Sequence, residues 1–209
     1  MSLSPEIWQQ TLHWQPSEQE IGQFQELYDL VLLGNQTQNL TRITDPVDFW
    51  EKHIWDSLRG VKPFWQARHL QVIDIGTGAG FPGLPIAIVF PSWHLTLLDG
   101  TLKKIKFVND TIEKLGLTNA IGVHGRAEEL GTNKYYRHQF DLVLIRAVGS
   151  VPACLKYGLP LTKPGGTIVL YRGHWHPQEA NYLVNQNWQI DSFVTPISQS
   201  QRNCVYIKV

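Results

Sequence analysis

The stretch 72–85, which reads VIDIGTGAGFPGLP, constrains the fold more than any other part of the chain. A short apolar run that carries one acid, Asp74, is followed by four glycines within eight residues and then by an apolar segment. This order is typical of a strand, a tight turn and a helix start, where backbone N–H groups meet a nucleotide-like ligand. Glycines suit such a turn because a Cβ would block the ligand's approach.

The glycine spacing alone leaves two cofactors open. Gly78, Gly80 and Gly83 fit the G-x-G-x-x-G pattern of dinucleotide-binding domains. Gly76, Gly78 and Gly80 equally fit the G-x-G-x-G spacing of S-adenosylmethionine methyltransferases. Asp99 lies 21 residues after Gly78, where either cofactor would present its ribose hydroxyls. A glycine-rich turn without a ligand is the third alternative.

Composition excludes several classes of protein. The chain has 209 residues, a formal net charge of zero and two cysteines, Cys154 and Cys204, which lack metal-site spacing. This indicates one domain with a small appendage, reduced core thiols and no metal site. No apolar run approaches the ~18 residues that a membrane span needs, and the first eight residues resemble no secretory signal. We therefore expect a cytoplasmic monomer that binds no membrane.

Charge is divided unevenly along the chain. Residues 1–60 carry nine acidic and three basic side chains, a net −6, and residues 61–209 carry nine acidic and fifteen basic ones, a net +6. An acidic N-terminal part and a basic remainder would divide the surface into regions of opposite charge rather than give it a uniform charge. Chance sorting between helical faces is the alternative.

The first 62 residues are expected to form an N-terminal helical extension packed on the core. A helix is predicted over 4–14, and the capping box of Ser17 and Glu20 begins a second helix, which Gly34 ends. A polar loop follows, and Asp45 with the proline after it begins a third helix. The extension is thus predicted to be entirely helical.

The remaining residues, 63–209, are predicted to form the core domain. Strands alternate with helices, which predicts parallel pairing with helices on both faces of the sheet. A helix over about 177–186 precedes two strands near 189–195 and 203–209, whose short connection predicts an antiparallel hairpin. We therefore predict an α/β, Rossmann-like class I S-adenosylmethionine-dependent methyltransferase fold. Its mostly parallel seven-stranded sheet ends in an antiparallel C-terminal hairpin, unlike the six parallel strands of a dinucleotide domain.

Charged side chains stand where predicted strands end, at the edge where ligands of open α/β sheets bind. Asp74 replaces the apolar residue usual in dinucleotide domains and suits a cofactor with a cationic amine, such as the methionine part of S-adenosylmethionine. Asp99 is placed to accept hydrogen bonds from two ribose hydroxyls, and Glu128 to reach an adenine ring. The structural alternatives are that Asp74 caps turn amides, that Asp99 caps the next helix with Thr101, and that Glu128 is a solvated loop charge.

Arg146 ends an otherwise apolar predicted strand and is the most informative single charge. Many methyltransferases place a carboxylate or amide near this position to hold an amino group that is methylated. Arginine has only donors and cannot do so, which argues against an exocyclic amine and fits a ring nitrogen or a phosphate-rich substrate. The alternative is a structural salt bridge to Asp141 or Glu128.

Two further groups have both a functional and a structural interpretation. His53 and Asp56 lie three residues apart on one helix face and are either a catalytic pair or, as we favour, part of the surface that docks the extension. His174, Trp175 and His176 follow Arg172 in a predicted loop. They either stack on a base, as in RNA recognition, or are simply exposed.

Seven motifs stand in order along the chain: N-L-T at 39–41, K-H-x-x-D-S at 52–57, D-I-G-T-G-A-G-F-P-G-L-P at 74–85, L-D-G at 98–100, R-A-E at 126–128, R-A-V at 146–148 and R-N-x-V at 202–205. Each is weak alone, but their order and spacing together are specific. From about Ser17 onward the chain resembles the bacterial small-subunit rRNA methyltransferase G family (RsmG, also called GidB).

The resemblance implies methyl transfer from S-adenosyl-L-methionine to N7 of a guanine in 16S rRNA, with the rRNA or the small ribosomal subunit as partner. By position it assigns cofactor binding to Gly76, Phe81, Asp99, Gly100, Thr101, Ala127, Glu128 and Arg146. Asp74 and Gly78 join this set through their places in the glycine-rich turn, and Arg146 is also the candidate catalytic residue. The chain departs from the family at Gly34-Asn35, where members often carry Trp-Asn, and at Arg172-Gly173, where Lys-Gly is common.

The implied chemistry agrees with these residues. Guanine N7 has a free lone pair and no proton to lose, so no general base is required, and the enzyme contributes positioning. N7 lies in the deep groove of an RNA helix, so the target should be unstacked. Phosphates would be held by five further basic candidates: Arg42, Lys52, Arg126, Arg172 and Arg202.

Three other functions remain as alternatives. The first is methylation of another substrate, a small molecule or a protein. The second is an NAD-dependent oxidoreductase that uses Gly78, Gly80 and Gly83, against which Asp74 and the terminal hairpin weigh. The third is RNA binding without catalysis.

Overall fold

A seven-stranded sheet with strand order β3-β2-β1-β4-β5-β7-β6 forms the centre of the protein. The computed structural model describes residues 3–209. Strands β1 to β5 pair in parallel, and β7 lies antiparallel between β5 and β6. The strands are β1 (Gln71–Ile75), β2 (His94–Asp99), β3 (Ala120–His124), β4 (Phe140–Arg146), β5 (Thr162–Arg172), β6 (Asn187–Val194) and β7 (Gln201–Lys208). The predicted fold class, including the closing hairpin, is confirmed.

Helices cover the sheet and form the extension. Short 3-10 helices occur at Lys62–Phe64 and Pro177–Leu183. The α-helices are α1 (Pro5–Leu12), α2 (Glu18–Asn35), α3 (Pro46–Phe49), α4 (Asp56–Gly60), α5 (Gly83–Val89), α6 (Leu102–Lys114), α7 (Ala127–Leu130) and α8 (Val151–Gly158). A π-helical turn, Trp50–Trp55, joins α3 to α4, so the three segments form one continuous helix.

Local capping explains where the helices of the extension begin. Ser17 Oγ accepts from the Glu20 N–H while the Glu20 carboxylate accepts from the Ser17 N–H, which satisfies two free donors at the start of α2. The Asp45 carboxylate accepts from the Asp48 N–H at the start of α3. Both predicted helix starts are confirmed.

Several predicted boundaries are wrong. The first helix ends at Leu12 rather than at position 14, because His13 adopts a left-handed conformation with φ of 57°. The segment predicted as a helix over 177–186 is a 3-10 helix that ends at Leu183. Strand β5 begins at Thr162, and its pairing with β4 shifts register between Phe140 and Leu142.

The extension packs on the sheet through aromatic side chains and through hydroxyl groups of two strands. Trp8 and Trp50 are buried in the same apolar cluster as Leu84 of α5. Tyr171 Oη of β5 donates to the Ser57 carbonyl at 2.9 Å, and Tyr206 Oη of β7 donates to the carbonyl of Gly60 at 3.1 Å. The helix formed by α3, the π-turn and α4 therefore lies directly against the sheet.

Within residues 3–209, no helix combines the length and apolar character that a bilayer crossing requires. Met1 and Ser2, which belong to the segment expected to lack a secretory signal, lie outside the described residues.

Two glycine-to-alanine substitutions should have opposite effects on stability. A Cβ at Gly60 would lie 2.2 Å from the Tyr171 ring, whereas a Cβ at Gly22 of α2 would meet nothing within 4 Å. Gly60→Ala should lower the free energy of unfolding by about 1–3 kcal/mol, because overpacking forces the extension away from β5. Gly22→Ala should raise it by roughly 0.5–1 kcal/mol. Urea denaturation of both variants checks this, and equal effects would show that Gly60 is not a close-approach position.

Candidate functional site

Asp74 lies at the carboxyl end of β1, beneath the glycine-rich turn, and is 1% exposed. Its Oδ2 accepts from Thr77 Oγ1 at 2.6 Å and from the Gly83 N–H at 2.9 Å. Its Oδ1 is buried and has no hydrogen-bond partner among the described residues. Burial raises the pKa of Asp74 to about 6, against the opposing effect of these two hydrogen bonds. One oxygen therefore caps the turn, as the structural alternative predicted, while the other is a buried acceptor that no described residue satisfies.

Asp99 ends β2 and is held in place from two sides. Its Oδ2 accepts from the Gly78 N–H at 3.0 Å, and its Oδ1 accepts from the Thr101 N–H at 2.8 Å. Lys104 places its ammonium 3.9 Å from Oδ2. Thr101 is the cap residue of α6, but its side chain makes no capping hydrogen bond, and Asp99 accepts from the Thr101 N–H rather than from an N–H of the helix itself. The carboxylate is thus fixed between the first and second strand ends.

Two positions of the turn require glycine, each for a different physical reason. Gly78 has φ of +62°, and a Cβ there would meet only the Gly76 carbonyl at 4.0 Å, so the space above the turn is open to a ligand. At Gly83 a Cβ would lie 2.3 Å from the Leu97 side chain. Gly83 therefore serves helix–strand packing, and the overlapping dinucleotide pattern is incidental.

A cavity of about 160 Å³ opens at the ends of β1, β2 and β3. It is bounded by strand ends, by the loop after β4 and by a tyrosine of α8. It is lined by Ile75, Gly76, Leu98, Asp99, Gly100, Gly125, Arg126, Ala127, Glu128, Val148 and Tyr157. We call it the nucleoside cavity. It gathers five of the predicted cofactor-binding residues: Gly76, Asp99, Gly100, Ala127 and Glu128.

A larger cavity of about 480 Å³ lies on the other side of the end of β4. It lies between the extension, the ends of β4 and β5, and the start of β7. It is lined by Ile43, Lys52, Asp56, Arg146, Ala147, Tyr171, Arg172, Gly173, His174 and Arg202. We call it the cationic cavity, because four basic side chains and one carboxylate are among its lining residues. Its volume is within the range of ligand-binding sites.

Arg146 connects the sheet to the extension inside the cationic cavity. Its Nη1 donates to the Lys52 carbonyl at 3.0 Å and lies 3.4 Å from Asp56 Oδ2. Its Nη2 lies 2.7 Å from His53 Nδ1. The predicted alternative partners are wrong: Asp141 pairs with Lys163 at 3.0 Å instead. Arg146 is held by the extension, 90 or more positions away in sequence.

His53 is held as a neutral imidazole. Because arginine has no acceptor, Nδ1 accepts from Arg146, so the ring proton is on Nε2, which contacts Thr41 Oγ1 at 2.9 Å. Burial and then the Arg146 charge lower the pKa of His53 well below its ordinary value. The ring also stacks on Phe81 with centroids 4.3 Å apart. With both nitrogens engaged, His53 docks the extension rather than acting as a base, which agrees with the favoured interpretation.

Asp56 is the functional candidate whose place the sequence analysis missed. It provides, in the cavity at the end of β4, the carboxylate acceptor that Arg146 itself cannot be. The argument from Arg146 against an exocyclic amine substrate therefore loses its force. The signal that would have drawn attention to it is the apolar face of the third helix, which carries Asp56 toward the core.

The basic candidates do not all gather in one place. Lys52, Arg172 and Arg202 line the cationic cavity with Arg146, and Arg42 is exposed on the loop after α2. Lys52 also pairs with Asp48 at 2.8 Å, and Arg172 lies 3.7 Å from Glu179. Arg126 lines the nucleoside cavity instead, with its guanidinium against Gly100.

Other predicted site residues serve packing in this structure. Phe81 is 5% exposed and packs between His53 and Phe49, so it supports the turn from below. The ring centroids of Trp175 and of Trp188 in β6 lie 5.8 Å apart, so Trp175 packs against the hairpin. Among residues 3–209, no group of three His, Cys, Asp or Glu side chains could hold a metal ion.

Comparison with known proteins places the chain in a family. The family model described as rRNA small subunit methyltransferase G matches residues 20–205. The chain belongs to this family. A curated relative from Trichormus variabilis, named ribosomal RNA small subunit methyltransferase G, is 51% identical over 97% of this chain and 88% of its own length. One of the same name from Microcystis aeruginosa is 48% identical over 97% and 96%.

Solved structures support the fold assignment. An O-methyltransferase from Bacillus cereus, determined in complex with SAH, superposes with a TM-score of 0.65 at 15% identity, covering 100% of this chain and 97% of that one. A SAM-dependent methyltransferase from Aquifex aeolicus gives 0.59 at 16% identity, covering 88% and 98%. At these identities the likeness shows the Rossmann-like methyltransferase fold alone.

The residues present fit S-adenosylmethionine. The unpartnered Oδ1 of Asp74 is a buried acceptor at the turn, where the cationic amine of the cofactor's methionine part can be bound, directly or through water. Asp99 lines the nucleoside cavity and retains lone pairs for ribose hydroxyls. The open space above Gly78 lets the cofactor approach the backbone.

Replacement of Asp74 by asparagine should improve stability while weakening cofactor binding. Folding raises the pKa of the Asp74 carboxyl from 3.8 to about 6. The folded protein therefore loses stability as the pH rises through that window. Removing the charge should therefore raise the free energy of unfolding at pH 7 by about 1–3 kcal/mol. Affinity for S-adenosylmethionine should fall at least about tenfold, since the acceptor for its ammonium is lost.

Guanidinium denaturation at pH 4 and pH 7, with calorimetric titration of the cofactor, measures both effects. The stability gain should vanish at the lower pH. Asp110→Asn, which changes an exposed acid of α6, is the control and should alter neither quantity. Unchanged cofactor affinity in Asp74→Asn would assign that carboxylate to turn capping alone.

Proposed function

We propose that this protein is an S-adenosylmethionine-dependent methyltransferase that modifies N7 of a guanine in 16S rRNA. Family membership supports this, since the relatives it matches are named ribosomal RNA small subunit methyltransferase G. The small ribosomal subunit, or its rRNA, is the partner that we propose.

One observation carries the proposal: two cavities of different chemistry meet at the loop that follows β4. Val148 lines the nucleoside cavity, while Arg146 and Ala147 line the cationic cavity. A methyl donor bound on the first side and an RNA nucleotide bound on the second would thus meet across three consecutive residues. This is the adjacency that direct methyl transfer requires.

The chain's own contribution is binding and orientation. S-adenosylmethionine supplies an electrophilic methyl group on a sulfonium. Asp74 and Asp99 fix the methionine and ribose parts, which determines where that methyl points. Guanine N7 would form its bond to the methyl group with its lone pair while the methyl–sulfonium bond breaks and S-adenosylhomocysteine leaves. N7 has no proton to lose, so the neutral, fully engaged His53 is not needed as a base. Lys52, Arg172 and Arg202 attract the phosphates on either side of the target nucleotide.

The geometry also bears on the form of the substrate. The cationic cavity is a recess between the extension and the strand ends, and a base that leaves its stack can enter it. We propose that the target guanine is unstacked and that the protein acts as a monomer in the cytoplasm. We also propose that the extension, residues 1–62, and the core domain, residues 63–209, work as one unit, because Arg146 of the core domain binds Lys52, His53 and Asp56 of the extension.

A second candidate reaction follows from Asp56. Its carboxylate is an acceptor in the same cavity and could hold an exocyclic amine for methylation. The chemical identity of the product separates the two reactions, since an amine target would give an N2- or N6-methylated nucleoside rather than N7-methylguanosine.

The deciding experiment is tritiated methyl transfer to small ribosomal subunits from a strain that lacks the enzyme, followed by nucleoside analysis. We expect one N7-methylguanosine per subunit. Transfer only to free metabolites would favour another substrate. Binding of RNA without transfer would favour a non-catalytic module, and binding of a nicotinamide cofactor would favour an oxidoreductase.

Arg146→Ala should greatly weaken transfer without loss of the fold. Loss of the guanidinium removes a cation from the cavity and releases His53 and Asp56, so kcat/KM for small subunits should fall about 100-fold or more. Cofactor affinity should fall less than kcat/KM, because Arg146 lines the other cavity and reaches the glycine-rich turn only through His53. Steady-state kinetics and circular dichroism check the variant, and full activity would leave Arg146 with only a structural salt bridge.

Arg202→Gln should reduce both RNA affinity and its dependence on salt. If Arg202 neutralises one phosphate, the slope of log K against log salt should become shallower by about 0.7–0.9. Arg68→Gln, which changes an exposed arginine outside the cationic cavity, is the matched control. Filter binding of 16S rRNA at several salt concentrations gives the slopes. Equal slopes for the two variants would remove Arg202 from the RNA interface.

A further inference from the structure

The cationic cavity contains a carboxylate that phosphate binding does not explain. Its lining residues include four basic side chains and a single acid, Asp56. A negative charge there repels the RNA backbone that the cations attract and lowers the affinity of a site that bound only phosphates. The carboxylate therefore needs a role that compensates for this repulsion.

The contacts of Asp56 leave one carboxylate oxygen without a donor and the other with a single donor. Oδ2 is engaged by Arg146 Nη1 at 3.4 Å, which is long for a charge-assisted hydrogen bond. Oδ1 accepts no hydrogen bond from any residue in the described range 3–209. The side chain is nevertheless only 10% exposed and lines the cavity. An ionised carboxylate can accept at both oxygens, so this one is short of donors.

The base that supplies two adjacent donors is guanine. Its Watson–Crick edge presents N1–H and the exocyclic N2 amino group side by side, whereas adenine, cytosine and uracil each present one donor group there. Single-stranded or flipped bases are commonly recognised by hydrogen bonds along this edge. N7 lies on the opposite, Hoogsteen edge, so a guanine held by its Watson–Crick edge keeps N7 free for the methyl group.

We propose that Asp56 is the residue that selects guanine, by accepting N1–H and N2–H of the unstacked target base on its two carboxylate oxygens. Arg146 then has a second role beside its charge, because it holds the carboxylate in place through Oδ2. This inference rests on the proposed function, since it assigns the base-recognition part of the same site.

The test compares mononucleotides as ligands of the wild-type protein loaded with S-adenosylhomocysteine, by isothermal titration calorimetry. GMP should bind at least about tenfold more tightly than IMP, which lacks the N2 amino group, because that change leaves a carboxylate oxygen unpaired. 1-Methyl-GMP, which lacks N1–H, should be weakened similarly. Equal affinities for the three nucleotides would overturn the inference, and this arm requires no variant to fold.

The second arm uses substitutions. In Asp56→Asn the amide NH₂ faces a donor of the base, so the ratio of GMP to IMP affinity should collapse toward one. Asp56→Glu retains the carboxylate and should keep a preference for GMP. The control, Asp141→Asn, alters an acid that pairs with Lys163 outside the cavity and should leave the ratio unchanged. If Asp56→Asn weakened GMP and IMP by the same factor, Asp56 would be a purely structural partner of Arg146.

These outcomes are separable from those of the proposed function. Nucleotide discrimination is a binding measurement and does not depend on transfer. Wild-type protein that discriminates GMP from IMP yet methylates no subunit would contradict the proposed reaction and leave the base assignment standing. Protein that forms N7-methylguanosine but does not discriminate GMP from IMP would support the proposed reaction and contradict the base assignment. A product methylated at N2 would overturn the inference, because the group that Asp56 accepts would then be the one modified.

Discussion

The geometry of both cavities depends on the contacts that the Arg146 guanidinium makes with the extension. Arg146 ends the central strand β4, and its two nitrogens reach the Lys52 carbonyl, His53 Nδ1 and Asp56 Oδ2 on the extension. A buried or half-buried arginine with several acceptors is held in a single orientation, because each lost contact would leave a polar group unpaired. The loop that follows Arg146 separates the two cavities and is therefore held in a fixed position.

The extension is therefore part of the site and not an accessory to it. His53 stacks on Phe81 of the glycine-rich turn while it accepts from Arg146, so one side chain contacts the structures on which both cavities are built. Its Nε2 extends the same connection to Thr41, next to Arg42. A displacement of the helix that carries His53 would therefore alter the glycine-rich turn and the cationic cavity together.

Sequence reasoning placed residues correctly where their position depends on local structure. Asp74, the glycines and Asp99 are placed by strand ends and turns, and the parallel sheet then brings the strand ends to one edge. It was wrong about the partners of Arg146, because these lie 90 or more positions earlier in the chain and depend on how the extension docks. It also could not assign Arg126 to the nucleoside cavity, since a basic residue in a loop carries no information about which cavity it faces.

The π-helical turn explains how the Lys52 carbonyl can accept from Arg146. The Asp56 N–H donates to the Glu51 carbonyl, five residues earlier, instead of to the Lys52 carbonyl that would receive it in an α-helix. Lys52 is therefore relieved of that donor, and its carbonyl accepts from Arg146 Nη1. Such turns are rare in proteins, and those that occur often lie at functional sites. They cost helical hydrogen bonds, which another contact must compensate. Here the compensating donor comes from the sheet, so the irregular turn and the docked arginine stabilise each other.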